Sequence, residues 1–301
     1  MFRLYDAYDT EALTSMHALR PAIAYPWPDG KQSAVLISVD VDADTPLLWH
    51  CRANPGNASL SELEQRQHGL RAGLSSLLAL LDRRVVKATF FVPGFVAERT
   101  PALLSELVAR GHEVALHGYL HERVADITDE QFTTALHRSI DIFERQTKKA
   151  PAGFRSPGWE MTAHMLSMLR AYDLYDSSLS GFDRPYTIGG VCELPISWAR
   201  EDTVRFKVTS CDGRSAPASP MLVLQEWLLD WQATAAANGL FTLTLHDWIA
   251  GRPAQLRLLD EFLDVVCGDA LTWLATGAEI ATRHRRLPNP LTTFVDVPNS
   301  Q

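Results

Sequence analysis

Two carboxylates that follow an apolar segment are the first residues in this sequence whose types and spacing could do chemistry. Asp40 and Asp42 come directly after the apolar run 34–39. If that run is a β-strand, residues two apart point to the same side, so both carboxylates would face one site. Placing two buried carboxylates together is costly unless a cation or a shared proton compensates. The pair therefore indicates a metal or acid–base site, and the alternative is a solvated strand end that Asp44 continues.

Two histidines have the spacing of metal ligands. His117 and His121 lie four residues apart, directly after the apolar segment 113–116. Residues four apart share one face of a helical turn, which lets two imidazoles reach one divalent ion. The pair is a weak signal alone, because ten histidines in 301 residues make chance pairs. Three other histidines lie in predicted helices or helix ends and are interpreted as structural: His112, His137 and His164.

An arginine and a further histidine complete the polar set. Arg155 opens the sequence Arg-Ser-Pro-Gly-Trp, and a guanidinium there can hold a carboxylate by paired hydrogen bonds. The turn that begins at Pro157 would place Trp159 over a pocket. His246 ends the apolar run 241–245, where an imidazole can serve as a general acid near neutral pH. The alternatives are a plain turn with a packing tryptophan and a hydrogen-bonded core histidine.

The elements that must position these residues alternate between short apolar runs and longer amphipathic segments. The predicted strands are 34–39, 86–92, 113–116, 152–155, 174–180, 191–196, 241–245 and 271–275. The predicted helices are 70–81, one that opens at Thr100-Pro101, 129–147, 162–171, 220–237, 253–266 and a short basic helix after them.

About seven such strand–helix units, without a break in composition, predict the α/β class. We expect one distorted (β/α)7-type barrel of parallel strands over residues 33–301, with residues 1–32 as an N-terminal arm. An open doubly wound sheet is the alternative. Catalytic groups of parallel barrels lie at the C-terminal ends of strands, where all four polar signals fall.

Tryptophans also follow these strands, which favours a walled pocket for a small molecule. They are Trp49, Trp159, Trp198 and Trp248. With Pro157, three of them are the predicted substrate-binding residues: Trp49, Trp159 and Trp248. By contrast, Trp227 and Trp231 lie four apart on a predicted helix and are interpreted as core.

Composition excludes several classes of partner. The chain is 46% hydrophobic and 21% charged, as in ordinary globular proteins, so disorder is excluded for most of it. The net charge is −8 and the Lys and Arg residues are scattered, which makes nucleic acid and anionic membranes poor partners. We expect a soluble cytoplasmic protein, because there is no secretory signal, no run of 18 apolar residues and no CxxC pair among the four cysteines.

Four motifs in a fixed order give the sequence a family resemblance. From about Ser33 to Arg285 the chain carries Asp-x-Asp, His-x-x-x-His, Arg-x-Pro-Gly and Leu-x-Leu-His. In this order they resemble the motifs of the polysaccharide deacetylase superfamily, also called the NodB homology or carbohydrate esterase 4 superfamily. The resemblance implies a metal-dependent hydrolase of non-peptide amide bonds on a distorted barrel.

The resemblance also implies a role for each matched residue. Asp40 would be the catalytic base, Arg155 would orient that base, and His246 would be the general acid. The divalent metal would be held by Asp42, His117 and His121. One carboxylate and two imidazoles make zinc the first choice, although the same set suits Fe, Mn or Co.

The sequence departs from the family pattern in two places. Its first motif separates Asp40 and Asp42 by one residue, whereas the usual motif has adjacent aspartates. That spacing, the Gly-Arg-Pro segment 251–253 and the segment 273–280 resemble one branch of the superfamily. This branch contains peptidoglycan-deacetylase-like proteins, cyclic imide hydrolases, and allantoinases that lack the metal. The chain keeps all three ligands that the allantoinases replace.

The fourth motif of the family, which supplies a carboxylate to tune the last-motif histidine, is not recognisable. Glu193 and Asp202 are the candidates for a carboxylate beside His246. Each of them is equally consistent with a structural ion pair. The sequence therefore leaves this partner open.

The expected substrate is a small amide, either a cyclic imide or ureide or an N-acetylated small molecule such as a sugar. Two other classes fit part of the pattern. A non-heme Fe(II) oxygenase uses the same facial triad, but it would give Asp40 and His246 no role. A catalytically silent binding protein could also keep the scaffold.

The N-terminal arm also bears on assembly. We expect a homo-oligomer, since an aromatic and proline-rich arm exposes apolar surface. The branch resemblance implies a tetramer. The alternative is an arm that folds back on its own barrel.

Overall fold

The structure, a computed structural model, describes residues 24–208 and 216–293. Its strands are β1 (Ser33–Asp40), β2 (Thr89–Val92), β3 (Glu113–Leu116), β4 (Gly153–Phe154), β5 (Tyr175–Asp176), β6 (Tyr186–Ile188), β7 (Val191–Glu193), β8 (Leu240–His246), β9 (Thr272–Leu274) and β10 (Thr292–Thr293). Its helices are α1 (Thr45–His50), α2 (Leu60–His68), α3 (Leu74–Arg84), α4 (Gly94–Arg99), α5 (Leu103–Ala109), α6 (Asp129–Thr147), α7 (Ala163–Ala171), α8 (Thr203–Phe206), α9 (Pro220–Ala236), α10 (Asp247–Ala250), α11 (Pro253–Gly268) and α12 (Gly277–Arg285). A π-helical segment, Gly69–Gly73, joins α2 to α3.

The strands form one sheet that curls into a half-barrel. Their order is β10-β6-β7-β5-β4-β3-β2-β1-β8, and β9 also pairs with β1. Every pair is parallel except β6 with β7. The predicted distorted barrel of parallel strands is therefore confirmed.

The two faces of the central strand bury different residues. On β1, Val35 and Ile37 pack into the large core between the sheet and the helices. Ala34 and Leu36 belong instead to a second buried cluster inside the half-barrel. Because side chains alternate along a strand, Asp40 continues the inner face. The apolar residues of β1 thus fix the side on which its terminal carboxylate appears.

Helix α12 and the chain just before β1 cover the base of the half-barrel. Ile280 and Ala281 of α12 are buried in the inner cluster together with Tyr25 and Trp27. The Tyr25 hydroxyl also lies 3.1 Å from Nδ1 of His284. The described end of the predicted arm therefore packs on its own barrel, while residues 1–23 lie outside the described residues.

One predicted helix start was wrong. The sequence suggested that a helix opens at Thr100-Pro101, but the Thr100 N–H donates to the Val96 carbonyl and so ends α4. The next helix begins at Leu103, with Ala102 as its N-cap. A Thr-Pro pair suits a helix start, and here the preceding helix uses the threonine for its own last turn.

A short hairpin was missed, and some strands were predicted too long. β6 and β7 form an antiparallel pair that Gly189 and Gly190 connect. Both glycines have positive φ (55° and 82°), as a two-residue hairpin turn requires. The predicted strand 174–180 pairs only over Tyr175–Asp176.

The remaining sequence expectations concern membrane-spanning segments and disulfide bonds. Among the described helices, none is both long and apolar enough to cross a membrane. Cys51, Cys192 and Cys267 carry free thiols, and Cys211 lies outside the described residues.

Candidate functional site

The predicted polar residues meet at one end of the half-barrel because each ends or follows a strand. Asp40 and His246 are the last residues of β1 and β8 and lie directly opposite each other in the parallel register. His117 follows β3 by one residue, and Arg155 follows β4 by one residue. These strands are parallel, so their C-terminal ends share one rim.

Three of these side chains form a cluster with the composition of a metal site. The Oδ1 atom of Asp42 lies 3.4 Å from Nε2 of His117, and its Oδ2 atom lies 3.6 Å from Nε2 of His121. One ligand atom from each residue falls within 4.8 Å of the other two. The Oδ1 atom of Asp42 is buried and has no hydrogen-bond partner. One carboxylate and two imidazoles around an unsatisfied oxygen fit a divalent cation.

The backbone presents both imidazoles, although not on a helix as predicted. Residues 118–120 form a turn, and His121 has left-handed backbone angles with φ of 56°. The Glu122 carboxylate closes this turn by accepting hydrogen bonds from the N–H groups of Tyr119 and Leu120. His117 places Nδ1 2.8 Å from the Arg155 carbonyl, so Nδ1 carries the proton and Nε2 faces Asp42.

The protonation states of Asp42 and His121 suit metal binding, whereas burial lowers the pKa of His117 but the neighbouring Asp40 and Asp42 outweigh it and raise that pKa. Burial by itself raises the pKa of Asp42, but His121, His117 and His246 outweigh it and hold the pKa below its ordinary value. Burial lowers the pKa of His121 to about 4, so its imidazole is neutral near pH 7. An ionised carboxylate and a neutral imidazole are the forms that bind metals.

Arg155 holds Asp40 in one position. Its guanidinium Nη1 donates to Oδ1 of Asp40 at 2.7 Å and to Oγ of Ser38 at 2.9 Å. Nε and Nη2 donate to the carbonyl and the hydroxyl of Ser177, both at 2.9 Å. The guanidinium also lies 4.1 Å from the Phe91 ring centroid, and the side chain is fully buried. One hydrogen bond reaches Asp40, where paired bonds were predicted.

The structure settles which carboxylate accompanies His246. Asp202 Oδ1 lies 2.7 Å from Nδ1 of His246, and its Oδ2 accepts the His246 N–H at 2.9 Å. Glu201 pairs with Thr244 of β8 as an isolated bridge, which brings the segment alongside the strand. Burial alone lowers the pKa of His246, but Asp202, Asp42 and Glu201 raise it well above its ordinary value.

The other candidate, Glu193, has a structural role. Its Oε1 atom accepts hydrogen bonds from the N–H groups of Ser178 and Leu179, which follow β5. Burial, followed by the neighbouring Asp176 carboxylate, raises the pKa of Glu193 well above its ordinary value. Glu193 thus bonds to the chain after β5 and not to His246, whose carboxylate partner is Asp202.

A cavity of about 250 Å³ opens over these groups. Its lining includes the predicted substrate-binding residues Trp159 and Trp248, together with Trp198. The rings of Trp159 and Trp198 lie with centroids 4.1 Å apart. Gly158 of the Arg-x-Pro-Gly motif also lines the cavity, and the sequence did not single out the other lining residues: Pro46, Arg66, Glu201, Thr203 and Lys207. Arg66 lies on α2, a helix that the apolar periodicity did not predict.

Two predicted substrate-binding residues are not part of this lining. Trp49 lies to the side, where its Nε1 donates to Oδ2 of Asp126 at 3.3 Å and Arg52 packs 4.0 Å from its ring centroid. Pro157 is buried and lines a small apolar space beside Phe154. Position after a strand end was the signal for both, and it does not determine which way a side chain points.

Comparisons with known proteins identify the family of this chain. The polysaccharide deacetylase family model matches residues 68–175. A crystal structure from Mycobacterium smegmatis, named for the same family, is 33% identical and has a TM-score of 0.83. The match covers 91% of this chain and 98% of that one.

Two curated relatives have related names. A peptidoglycan deacetylase-like protein from Gibberella zeae is 29% identical over 72% of this chain and 75% of its own length. A peptidoglycan deacetylase from Helicobacter pylori is 26% identical over 76% of this chain and 89% of its own length. The chain belongs to the polysaccharide deacetylase family and is a hydrolase of carbon–nitrogen bonds other than peptide bonds.

Proposed function

We propose that this protein hydrolyses a small amide with the help of a divalent metal ion, zinc being our first choice. The metal would be held by Asp42, His117 and His121. The proposal rests on one observation: this cluster and two hydrogen-bonded pairs of side chains lie together at one cavity. The pairs are Asp40 with Arg155 and His246 with Asp202.

A bound divalent ion would supply Lewis acidity, which polarises a carbonyl and lowers the pKa of water. Asp40 would accept the proton of the attacking water. Arg155 holds that carboxylate in position through a buried ion pair, with Nη1 donating to Oδ1 of Asp40 at 2.7 Å. His246 would donate a proton to the leaving nitrogen, and Asp202 fixes its imidazole through Nδ1.

The cavity supports a small substrate. Its volume of about 250 Å³ is below the usual range of roughly 300–1,000 Å³ for sites of drug-sized ligands. Trp159, Trp198 and Trp248 wall it, which suits a planar cyclic imide or ureide. A second candidate is an N-acetylated sugar, which is favoured by the names of the two peptidoglycan deacetylase relatives and by the stacking of sugars on aromatic rings.

A substrate panel tests the proposal. Hydrolysis rates of hydantoin, succinimide and allantoin are compared with those of N-acetylglucosamine and its oligomers, all with metal-loaded protein. The proposal predicts turnover of at least one small amide. Efficient deacetylation of long oligomers, without turnover of any small amide, would overturn the substrate assignment. Absence of any hydrolysis would favour the silent binding protein.

No observation favours the oxygenase alternative. Both pairs beside the metal cluster suit proton transfer. In one, the Asp40 carboxylate contacts the buried guanidinium of Arg155. In the other, the His246 imidazole contacts the buried carboxylate of Asp202. Hydrolysis uses both pairs, whereas an oxygenase would use neither.

We also propose a homo-oligomer. Tyr25 and Trp27 pack on their own barrel, so this part of the arm is not available to a second copy. Helix α9 instead exposes Met221, Leu222 and Leu229 by 73%, 59% and 68%. Exposed apolar side chains on one helix support an interface between copies. Light scattering should give a multiple of 33.5 kDa, and a stable monomer would contradict the proposal.

A further inference from the structure

We propose that Asp176 and Glu193 share one proton inside the sheet and that this carboxyl pair positions Arg155. The inference rests on the proposed function, in which Arg155 holds the catalytic base. Neither carboxyl lines the cavity, so neither touches the substrate there. The pair would therefore act on the reaction only through the guanidinium, as two positioning residues.

The two carboxyl groups meet because their strands are paired. Asp176 ends β5 and Glu193 ends β7, and the two residues lie opposite each other in the parallel register. Side chains at such positions point to the same face of a sheet. Both residues are fully buried, and their carboxyl groups lie within hydrogen-bonding reach of each other. The sheet thus holds two acidic groups together, away from water.

One oxygen of each carboxyl group can be satisfied by a shared proton. The Oδ2 atom of Asp176 and the Oε2 atom of Glu193 are buried, and no described group donates to either of them. Arg155 does not supply the missing donor, because each of its nitrogens donates to another group. Two ionised carboxylates would repel each other in this position, whereas a protonated Oε2 of Glu193 would donate to Oδ2 of Asp176.

The other oxygen of each carboxyl group holds the chain that follows β5. Glu193 Oε1 accepts the N–H groups of Ser178 and Leu179 at 3.1 and 3.0 Å. Asp176 Oδ1 accepts the Ser178 hydroxyl at 2.7 Å. The shared proton keeps the two carboxyl groups together, and together they fix residues 178 and 179.

This segment in turn holds Arg155. The Ser177 carbonyl and hydroxyl accept hydrogen bonds from Nε and Nη2 of Arg155, both at 2.9 Å. The Ser178 hydroxyl accepts the N–H of Ser156, the residue after Arg155, at 2.8 Å. Loss of the carboxyl pair would therefore free both the guanidinium and the backbone beside it. Because Arg155 donates to Asp40, the proposed base would lose its fixed position as well.

Hydrogen exchange tests the position of Arg155 without requiring hydrolysis. Its Nε–H is buried and hydrogen-bonded, so it should exchange slowly with solvent. The exchange is followed by NMR in protein labelled with ¹⁵N-arginine, and the signal is assigned by its absence from Arg155→Lys. The Nε–H of Arg200, which donates to Asp230 at 2.7 Å, reports the overall stability in the same sample.

Glu193→Ala removes the pair and should speed the exchange of the Arg155 Nε–H about tenfold relative to that of Arg200. Ser178→Ala removes only the hydroxyl link and should speed it by a smaller factor. Glu193→Gln should keep the wild-type ratio, because its amide nitrogen donates to Asp176 and its oxygen still accepts the two N–H groups.

Glu113→Ala is the matched control. It removes a carboxyl of β3 that accepts hydrogen bonds from the Thr89 hydroxyl and the Ala278 N–H instead. The exchange ratio should stay at its wild-type value. The shared proton is measured separately by infrared spectroscopy near neutral pH. The C=O stretch of one protonated carboxylic acid should be present in the wild type and missing from Glu193→Gln.

A wild-type exchange ratio in both Glu193→Ala and Ser178→Ala would overturn the positioning role, and so would an equal change in Glu193→Gln and Glu193→Ala. Identical carboxylic acid bands in the wild type and Glu193→Gln would overturn the shared proton. Failure of the proposed function gives a different result. In that case the exchange ratios would change as expected in a protein that hydrolyses no amide.

Discussion

At the scale of single residues, the site consists of donors and acceptors whose positions are fixed by other buried groups. Every nitrogen of the Arg155 guanidinium donates a hydrogen bond, and only one of these bonds reaches Asp40. The His246 imidazole is held through Nδ1 by Asp202. Such fixed groups can transfer protons without prior rearrangement.

Removal of either proton-transfer group should therefore reduce the rate without loss of the fold or the metal. Asp40→Asn and His246→Ala should each lower kcat about 10²–10⁴-fold, the usual contribution of a general base or acid. Steady-state hydrolysis and elemental analysis on the same samples check this. Wild-type turnover in either variant would show that its role is assigned wrongly.

The sequence spacing was enough to predict that residues at the ends of neighbouring strands lie close together. Asp40, His117, Arg155 and His246 could be grouped because parallel strands share a rim. Asp202 could not be chosen over Glu193, since it reaches His246 through a loop that a single bridge aligns with β8. No local pattern encodes that bridge.

At the scale of elements, the short helix α10 packs closely on the π-helical segment that precedes α3. A Cβ atom added at Gly251, which follows α10, would lie 2.2 Å from Cα of Gly73. It would also lie 2.3 Å from the Gly73 carbonyl oxygen. Both atoms belong to the backbone, which cannot move away as a flexible side chain could. The contact fixes the chain directly after His246.

Gly251→Ala should consequently destabilise the protein by about 1–3 kcal/mol, the usual cost of overpacking. Urea unfolding measures this as a lower midpoint. Gly268→Ala is the control, because a Cβ atom there would have nothing within 4 Å. Equal midpoints for the two variants would mean that α10 and the π-helical segment are not packed as described.

Elements were easier to predict where their termination signals are local. The predicted helix 129–147 matches α6, which a capping box between Thr128 and Gln131 begins. The β6–β7 hairpin was missed although its Gly189-Gly190 pair is a typical turn signal, because both strands are only three residues long. Strands this short carry too little alternation to show a period.

At the scale of the whole molecule, buried neutral histidines link stability to pH. Burial, the largest cause for both, lowers the pKa of His112 and of His284 to about 4. His284 holds the base of the half-barrel together, with Nδ1 3.1 Å from the Tyr25 hydroxyl and Nε2 3.0 Å from the Thr187 hydroxyl. Protonation of the His284 imidazole therefore opposes the folded state.

The sign follows from proton uptake. An unfolded histidine binds a proton below pH 6.5, whereas these two remain neutral down to about pH 4 when folded. Their contribution to stability is complete above pH 6.5 and is lost as the pH falls toward 4. His284→Gln keeps a hydrogen-bonding side chain but cannot titrate. Its Tm should fall less than that of the wild type between pH 7.5 and pH 5, and an identical fall would contradict this account.

The central claim is that a divalent ion on Asp42, His117 and His121 is required for amide hydrolysis, and one measurement tests it most directly. Metal content and hydrolysis rate are determined together for the wild type, for His121→Ala and for His137→Ala, which replaces an exposed histidine elsewhere. We predict about one divalent ion per chain and equal activity in the wild type and His137→Ala, with most of both lost in His121→Ala. Full metal occupancy with wild-type turnover in His121→Ala would contradict the account.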